Sequence, residues 1–321
     1  MVPAYLEAGA IGPKIQDLKQ SILCFGGTAK IVVVASDDST SEAAQRAGAD
    51  TVLRVPRNGK ASACNVGLKQ SNADLVVFTD ANCRIQPDDW IPIAIDSLKR
   101  YCLISANKSE TNGNERLFWR FERLLKKTHG DHDSIAVVGE FLAFRRSDYR
   151  EISTSAILDD MEIAIDFTLR NLRVGVCDQI TVTEDAAAGR DQWERRVRIA
   201  EGHYVDVGRR MPALSRLPAG RRYLVHKMPR LTLGCIGFWA GVFAGSASSR
   251  PFAAIALPLV LSAGGIYRGL IKIDTESSMV GSLVAIVGMQ FIPPAAAVRL
   301  IVRKIAPGAS PQRGVWKKVS R

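Results

Sequence analysis

The chain has few of the groups that staple small folds together. Its 321 residues include six cysteines (Cys24, Cys64, Cys83, Cys102, Cys177 and Cys235), scattered and with no CxxC pair. That pattern argues against a disulfide framework and reads as reduced, mostly buried thiols in a cytosolic setting. Histidine is scarce, at four residues. His129 and His132, in HGDH, imitate a metal-ligand spacing, but among Gly and Asp they read as a polar loop. Aromatic residues make up 7%. There is no zinc-finger spacing, no aromatic-rich strand motif and no recognition-helix signature, so nucleic acid is not expected as a partner. No basic start leads into an apolar core near Met1, so no cleavable signal peptide is expected.

Acidic residues are outnumbered, 32 against 43 Lys and Arg, for a net charge of +11. The excess gathers in 190–230 and in 299–321. Basic residues flanking apolar runs suit an anionic membrane surface. The apolar runs are Thr232–Ala247, Pro251–Ile266 and Met279–Val302, the last interrupted by Pro293-Pro294. Only that one is clearly long enough for a hydrocarbon core of about 30 Å. All three are almost free of charge, which favours membrane helices over the buried helices of a soluble domain. The basic tail is expected in the cytoplasm. With the amino-terminal part there too, the crossings must be even in number, so one of the three runs is expected not to span.

Before residue 204 apolar strand-like runs alternate with helical ones. Strands are expected at 31–36, 51–55, 75–79, 135–144 and 173–182. Helices are expected at 14–24, 40–49, 88–101, 117–127, 161–170 and 192–208, with a loop leading into a helix over 59–70. This order implies βαβ units with right-handed crossovers, and ligands then gather at the carboxyl ends of the strands.

The stretch Leu75–Asn82, LVVFTDAN, carries the most information. A buried parallel strand reads as one apolar run, and this one opens into Asp80 and Asn82. Residues two apart in extended chain point the same way, so both side chains can reach one hard cation or one sugar-diphosphate. The bland alternative is a strand followed by an Asx turn. Other polar groups follow the same theme at strand ends: Glu7, Asp37-Asp38, Lys60 and Asp159-Asp160. Each has a plain reading as a helix cap, a solvated charge or a dipole partner. Together they offer what transfer from a sugar-nucleotide needs: polar contacts for the nucleoside, cations for a diphosphate and a base for a hydroxyl.

The strings PAYLEAGAI, SDDSTSEAAQRAGA, GKASACNVGL, LVVFTDANCRIQPDDW, VGEFLAFRRSDY, ILDDMEIAIDFTLRNLRVGVC and ERRVRIAEGHY occur in this order. The chain thereby resembles the family-2 glycosyltransferases, and YLVHKMPRL before the first apolar run is similar to membrane-bound synthases of the polysaccharide type. The resemblance implies a GT-A nucleotide-sugar-binding domain of α/β class. That means a mostly parallel mixed sheet flanked by helices, followed by interfacial and transmembrane helices. The expected divisions are 1–189 catalytic, 190–230 basic interface helices, 231–303 membrane helices and 304–321 basic tail. The implied activity is inverting transfer of a sugar from a nucleoside-diphosphate donor, UDP-linked, to a lipid or glycan acceptor. The implied place is the cytoplasmic face of the inner membrane, in a multi-pass protein, with Mg²⁺ or Mn²⁺ as cofactor.

The same resemblance assigns residues. Pro3, Ala4, Tyr5 and Glu7 match the first nucleotide-binding loop, Asp37 the carboxylate that contacts the base, and Lys60 a basic contact near the phosphates. Asp80 and Asn82 match the metal-binding DxD. Asp160 matches the catalytic base of the ED motif, with Asp159 in the Glu position. Gly139 and Glu140 are candidates for shaping the acceptor site. Arg198 matches the Arg of QxxRW and is a candidate for holding the diphosphate. Three departures stand out. Asn82 replaces a carboxylate and binds a hard cation more weakly. Arg195 and Ile199 replace the Gln and Trp of QxxRW, which puts processive polymerisation in doubt. Only Met1-Val2 precede PAY where the family has an apolar strand, and a missing strand would leave a sheet edge unpaired. A rival activity, sugar nucleotidyl transfer, predicts a triphosphate substrate and a Gly-rich start that is absent here. A catalytically degenerate membrane relative is the other rival.

Overall fold

The computed structural model describes residues 1–111, 135–185, 189–268 and 279–305. The expected helix at 117–127, His129, His132 and residues 306–321 of the basic tail lie outside the described residues. The strands, in chain order, are Val2–Ala4 (β1), Val32–Ala35 (β2), Thr51–Arg54 (β3), Leu75–Thr79 (β4), Cys83–Gln86 (β5), Leu103–Thr111 (β6), Phe141–Arg145 (β7) and Val174–Asp185 (β8). The β-branched run of β2 sits in the middle of a parallel set, β1-β2-β3, with Val33, Val34 and Ala35 fully buried. Burial on both faces is why that run is continuous rather than alternating. The second set runs β4-β7-β6-β8-β5 and is mixed: β6 and β8 are parallel, while β4-β7, β6-β7 and β5-β8 are antiparallel.

The two sets join through the first residues of the chain. Thr79 N donates to Met1 O at 3.1 Å, and Val2 to Ala4 pair with Val33 to Ala35. The edge expected to be bare is therefore covered: three residues suffice as a strand between β2 and β4. The carboxyl ends of β1, β2 and β4 consequently lie side by side.

Helices cover both faces. Ala8–Phe25 (α1) buries Ile11, Ile15 and Leu18 and ends on Gly26 in the left-handed region (φ 67°), a conformation that glycine adopts without strain. It begins six residues before the expected start at Lys14, because Gly9, Gly12 and Pro13 hide its first turns from a propensity argument. Next come Asp38–Arg46 (α2), Lys60–Lys69 (α3), Trp90–Ser97 (α4) and Asp159–Leu169 (α5). One core forms around Val2, Val33, Ile11, Ile15, Trp90 and Phe141. A second forms around Phe78, Phe144, Phe167, Leu103 and Ile163.

The expected helix at 192–208 is Gly189–Gly202 (α6), which passes through a π-helical turn, His203–Val207, into Gly208–Leu214 (α7). Pro218–Leu231 (α8) follows, then Leu233–Ser248 (α9), Arg250–Tyr267 (α10), Met279–Gly288 (α11) and Ile292–Ile305 (α12). Three helical stretches, Pro218–Ser248, Arg250–Tyr267 and Met279–Ile305, are long and apolar enough to cross a membrane. Their large apolar side chains stand exposed, among them Leu233, Phe243, Ile255, Leu259 and Leu283. Water would not tolerate such a belt, whereas hydrocarbon suits it.

Candidate active site

Two neighbouring groups of side chains occupy the carboxyl ends of these strands. The first forms where β1 and β2 end. Asp37 caps α2 by accepting from Thr40 N at 2.8 Å. Its other oxygen accepts from Leu6 N at 2.6 Å, and Glu7 N donates to Thr40 Oγ1 at 2.9 Å. Burial would raise the Asp37 pKa, but the donors Leu6 N, Ser39 Oγ and Thr40 N outweigh it and hold the carboxyl below its ordinary value. Pro3 and Ala4 lie in β1 opposite Val34 and Ala35. The ring of Tyr5 carries the Arg57 guanidinium 4.0 Å from its centroid, and Arg57 also donates to the Tyr5 hydroxyl at 3.0 Å.

The second group forms beyond β4. Lys60, at the start of α3, donates to Asp80 Oδ1 at 2.6 Å and to Gly139 O at 3.2 Å, and lies 3.6 Å from Asp159 Oδ2. Burial would lower the Lys60 pKa, but Asp80 and Asp159 raise it further, so the ammonium stays charged. Asp80 and Asn82 bracket the turn between β4 and β5, both partly exposed. Asp160 accepts from Met161 N at 2.8 Å through Oδ1. A Cβ on Gly139 would lie 3.1 Å from Asp160 Oδ2 and 3.3 Å from its Cγ. Glycine there lets the backbone approach the carboxyl closely. Burial, and next Asp159, push the Asp160 pKa up to about 7, against the pull of Lys60. Arg198, on α6, lies within electrostatic reach of Asp159, Asp160 and Asp80. Burial lowers its pKa against those three carboxylates, yet a guanidinium remains protonated.

Glu140 does not join this group. Glu140 is buried, and its carboxylate accepts from Lys108 Nζ at 2.5 Å and from Arg195 Nη2 at 3.1 Å. Glu184 takes the opposite corner, accepting from Lys108 and, at 2.7 Å, from Arg195 Nη1. Burial alone would raise the Glu140 pKa, but Lys108 and Arg195 hold it below the usual carboxylate range. The four charges balance and tie α6 to β6 and β8. This cluster is not legible in the sequence, because its hydrogen-bonded pairs are 32, 55 and 76 positions apart, and only Glu184 and Arg195 are nearer, at 11.

Residues 1–153 match the family model described as Glycosyl transferase family 2. This stretch is a family 2 glycosyltransferase domain. Among solved structures, a mannosyltransferase from Pyrobaculum calidifontis, in complex with GDP-Man and Mn²⁺, is similar over 94% of this chain and 86% of its own, with TM-score 0.67 and 23% identity. Glucosyl-3-phosphoglycerate synthase from Mycobacterium tuberculosis, in complex with Mn²⁺, UDP and phosphoglyceric acid, aligns over 65% of this chain and 76% of its own, with TM-score 0.44 and 18% identity. The likeness to the mannosyltransferase shows that the chain has the GT-A fold. No curated protein sequence matches the chain. Among the described residues, no group of three His, Cys, Asp or Glu side chains is arranged to hold a metal ion.

Proposed function

We propose that this glycosyltransferase moves a sugar, with inversion, from a nucleoside-diphosphate sugar to a hydroxyl on a lipid or glycan at the cytoplasmic face of the inner membrane. The observation that carries the reading is the convergence of Lys60, Asp80, Gly139, Asp159 and Asp160, with Arg198 beside them. Cations and carboxylates so mixed suit a reaction that breaks a bond to a diphosphate and removes a proton from a hydroxyl. The nucleoside would lie against Pro3, Ala4, Tyr5, Glu7 and Asp37, one strand away.

Asp160 has the position and the chemistry of the base. With Oδ1 engaged by Met161 N, Oδ2 is left to take the proton of the acceptor hydroxyl. The hydroxyl oxygen bonds to the anomeric carbon from one face. The bond from that carbon to the diphosphate oxygen breaks on the other face and leaves its electron pair on the diphosphate. Lys60 and Arg198 supply positive charge where the diphosphate gathers negative charge. A raised pKa near neutrality suits a base that must accept a proton and release it again.

The donor set at the turn fits a divalent cation of the hard type. Such ions take oxygen ligands and are commonly bound by one or two carboxylates plus substrate phosphates. Asp80 and the amide oxygen of Asn82 are of that kind. Their side chains would hold the ion, which when bound neutralises charge on the leaving diphosphate.

The test is release of nucleoside diphosphate from a panel of UDP- and GDP-sugars with Mn²⁺, using the full chain in detergent. The Asp160→Asn enzyme is expected to lose turnover while still binding UDP or GDP. Unchanged turnover in that variant would remove Asp160 from the role.

A further inference from the structure

The turn that presents Asp159 and Asp160 begins at Leu158, the residue before α5, whose side chain provides no cap. The first N–H groups of a helix lack partners within it, and buried backbone donors rarely go unsatisfied. Here the acceptor comes from far along the chain. Asp206 Oδ2 accepts from Ile157 N at 2.7 Å and from Leu158 N at 2.9 Å. Asp206 is 4% exposed, so bulk water does not compete for these two N–H groups.

Three features aim Asp206 at this turn. It stands in the π-helical turn His203–Val207 that links α6 to α7, and a π turn shifts the facing of everything after it. Gly202, just before, meets Leu158 so closely that a Cβ would lie 2.3 Å from Leu158 Cγ. Arg210, one turn beyond, donates to Asp206 O at 3.2 Å and pairs with Glu162 on α5. The α6–α7 segment thus grips the start of α5 at Leu158, through Asp206, and again at Glu162.

We propose that Asp206 is a positioning residue for transfer: by holding the N–H groups of Ile157 and Leu158 it fixes the turn from which Asp160 reaches the acceptor hydroxyl. This rests on the reading of Asp160 as the base. Asp206 touches no reacting atom. Its effect belongs to the step in which the proton moves, not to capture of the donor.

The experiment compares wild type, D206A, D206N and D160N as full chains in detergent. GDP-mannose and UDP-glucose with Mn²⁺ are the probes, and amide hydrogen exchange is read alongside. D206A strips both N–H groups of their acceptor. It should lower kcat about 10- to 100-fold, as expected for displacing a reacting group by an ångström or less, with donor KM within about twofold. D206N keeps an oxygen for both N–H groups and should recover kcat to within about threefold of wild type. Exchange should quicken in D206A over 152–161 and stay unchanged over 31–46. If D206A does not fold, D206S takes its place, since a hydroxyl on one carbon cannot reach both donors.

Unchanged kcat and unchanged local exchange would overturn the proposal. So would D206N as slow as D206A, or a loss of nucleotide binding together with kcat and exchange quickened throughout, which marks a merely structural residue. If neither probe is turned over, the exchange comparison alone decides. D160N separates the two readings. A dead D160N beside an unaffected D206A refutes only the positioning role. An active D160N refutes the base, while local loosening in D206A would still show the grip.

Discussion

Replacing Arg195 by Gln should be among the most destabilising polar changes in this chain. The side chains of Lys108, Glu140, Glu184 and Arg195 are 2%, 8%, 1% and 13% exposed. Removing the guanidinium leaves one ammonium between two buried carboxylates. Breaking a buried pair from one side costs about 3–5 kcal/mol. Gln returns one hydrogen bond and Lys108 remains, so the lower end applies, about 3 kcal/mol. At roughly 2–4 °C per kcal/mol for a domain of this size, the unfolding midpoint should fall by about 6–12 °C. The assay is thermal unfolding in detergent, followed by tryptophan fluorescence. The decisive comparison is the double variant. R195Q with E184Q restores one cation against one anion, so its loss should be smaller than the sum of the single losses by more than about 1 kcal/mol. If R195Q shifts the midpoint by less than about 2 °C, or the two changes add within about 0.5 kcal/mol, the cluster is not a cooperative unit.

Other outcomes follow from the same geometry. Because Lys108 and Arg195 hold the Glu140 pKa down, their contribution is present above the unfolded carboxyl value of about 4.3 and is lost as pH falls below it. R195Q should therefore show a flatter stability profile under acid than wild type, read by midpoints across pH. Asp160 titrates the other way: its raised pKa means that ionisation costs stability as pH rises toward and through 7. D160N should raise the midpoint at pH 8, raise it less at pH 5, and leave it unchanged only below about pH 4, where the carboxyl is protonated folded and unfolded alike. Donor turnover by wild type should rise with pH to a plateau above about 7. G139A should cut kcat by tenfold or more (on the order of 1.4 kcal/mol), since its Cβ would press on the Asp160 carboxyl from 3.1 Å. The full chain should remain in the membrane pellet after alkaline carbonate washing, and its release would count against Pro218–Ser248, Arg250–Tyr267 and Met279–Ile305 as spans.

Much of this was legible in the residues. The apolar run of β2 announced a parallel strand; that of β4 announced a strand, but one that pairs antiparallel with β7, and its run into TDAN placed Asp80 at a sheet rim. β5 and β6 were missed for different reasons. β5 has four residues that alternate buried and exposed, too few for a periodic signal. β6 carries Ser105, Asn107 and Lys108 toward the interior, and a hydrophobicity argument discards such positions. Lys108 is tolerable there only because Glu140 and Glu184 meet it, and partners so distant in sequence leave no local trace. Gly139 and Glu140 are expected together at the acceptor site, but they form the turn before β7 and their directions diverge there. Gly139 faces Asp160, and Glu140 faces the ion cluster. Asp206 was invisible for a similar reason: nothing in HYVDV foretells a π turn or a backbone acceptor 48 positions away.

α6 has two sides that are both fastened. One presents Arg195 to the ion cluster and Arg198 to the carboxylates. The other sets Trp193, Val197 and Ala200 against Ile292 and Ala296, while Glu194 and Glu201 hold Arg299 and Arg303 of α12 at 2.7 and 3.0 Å. A rod riveted along both flanks cannot roll on one flank alone. A load on α12 is thereby carried to Arg198 and the carboxylates beside it, and turnover is expected to differ between detergents or lipids that press differently on that helix.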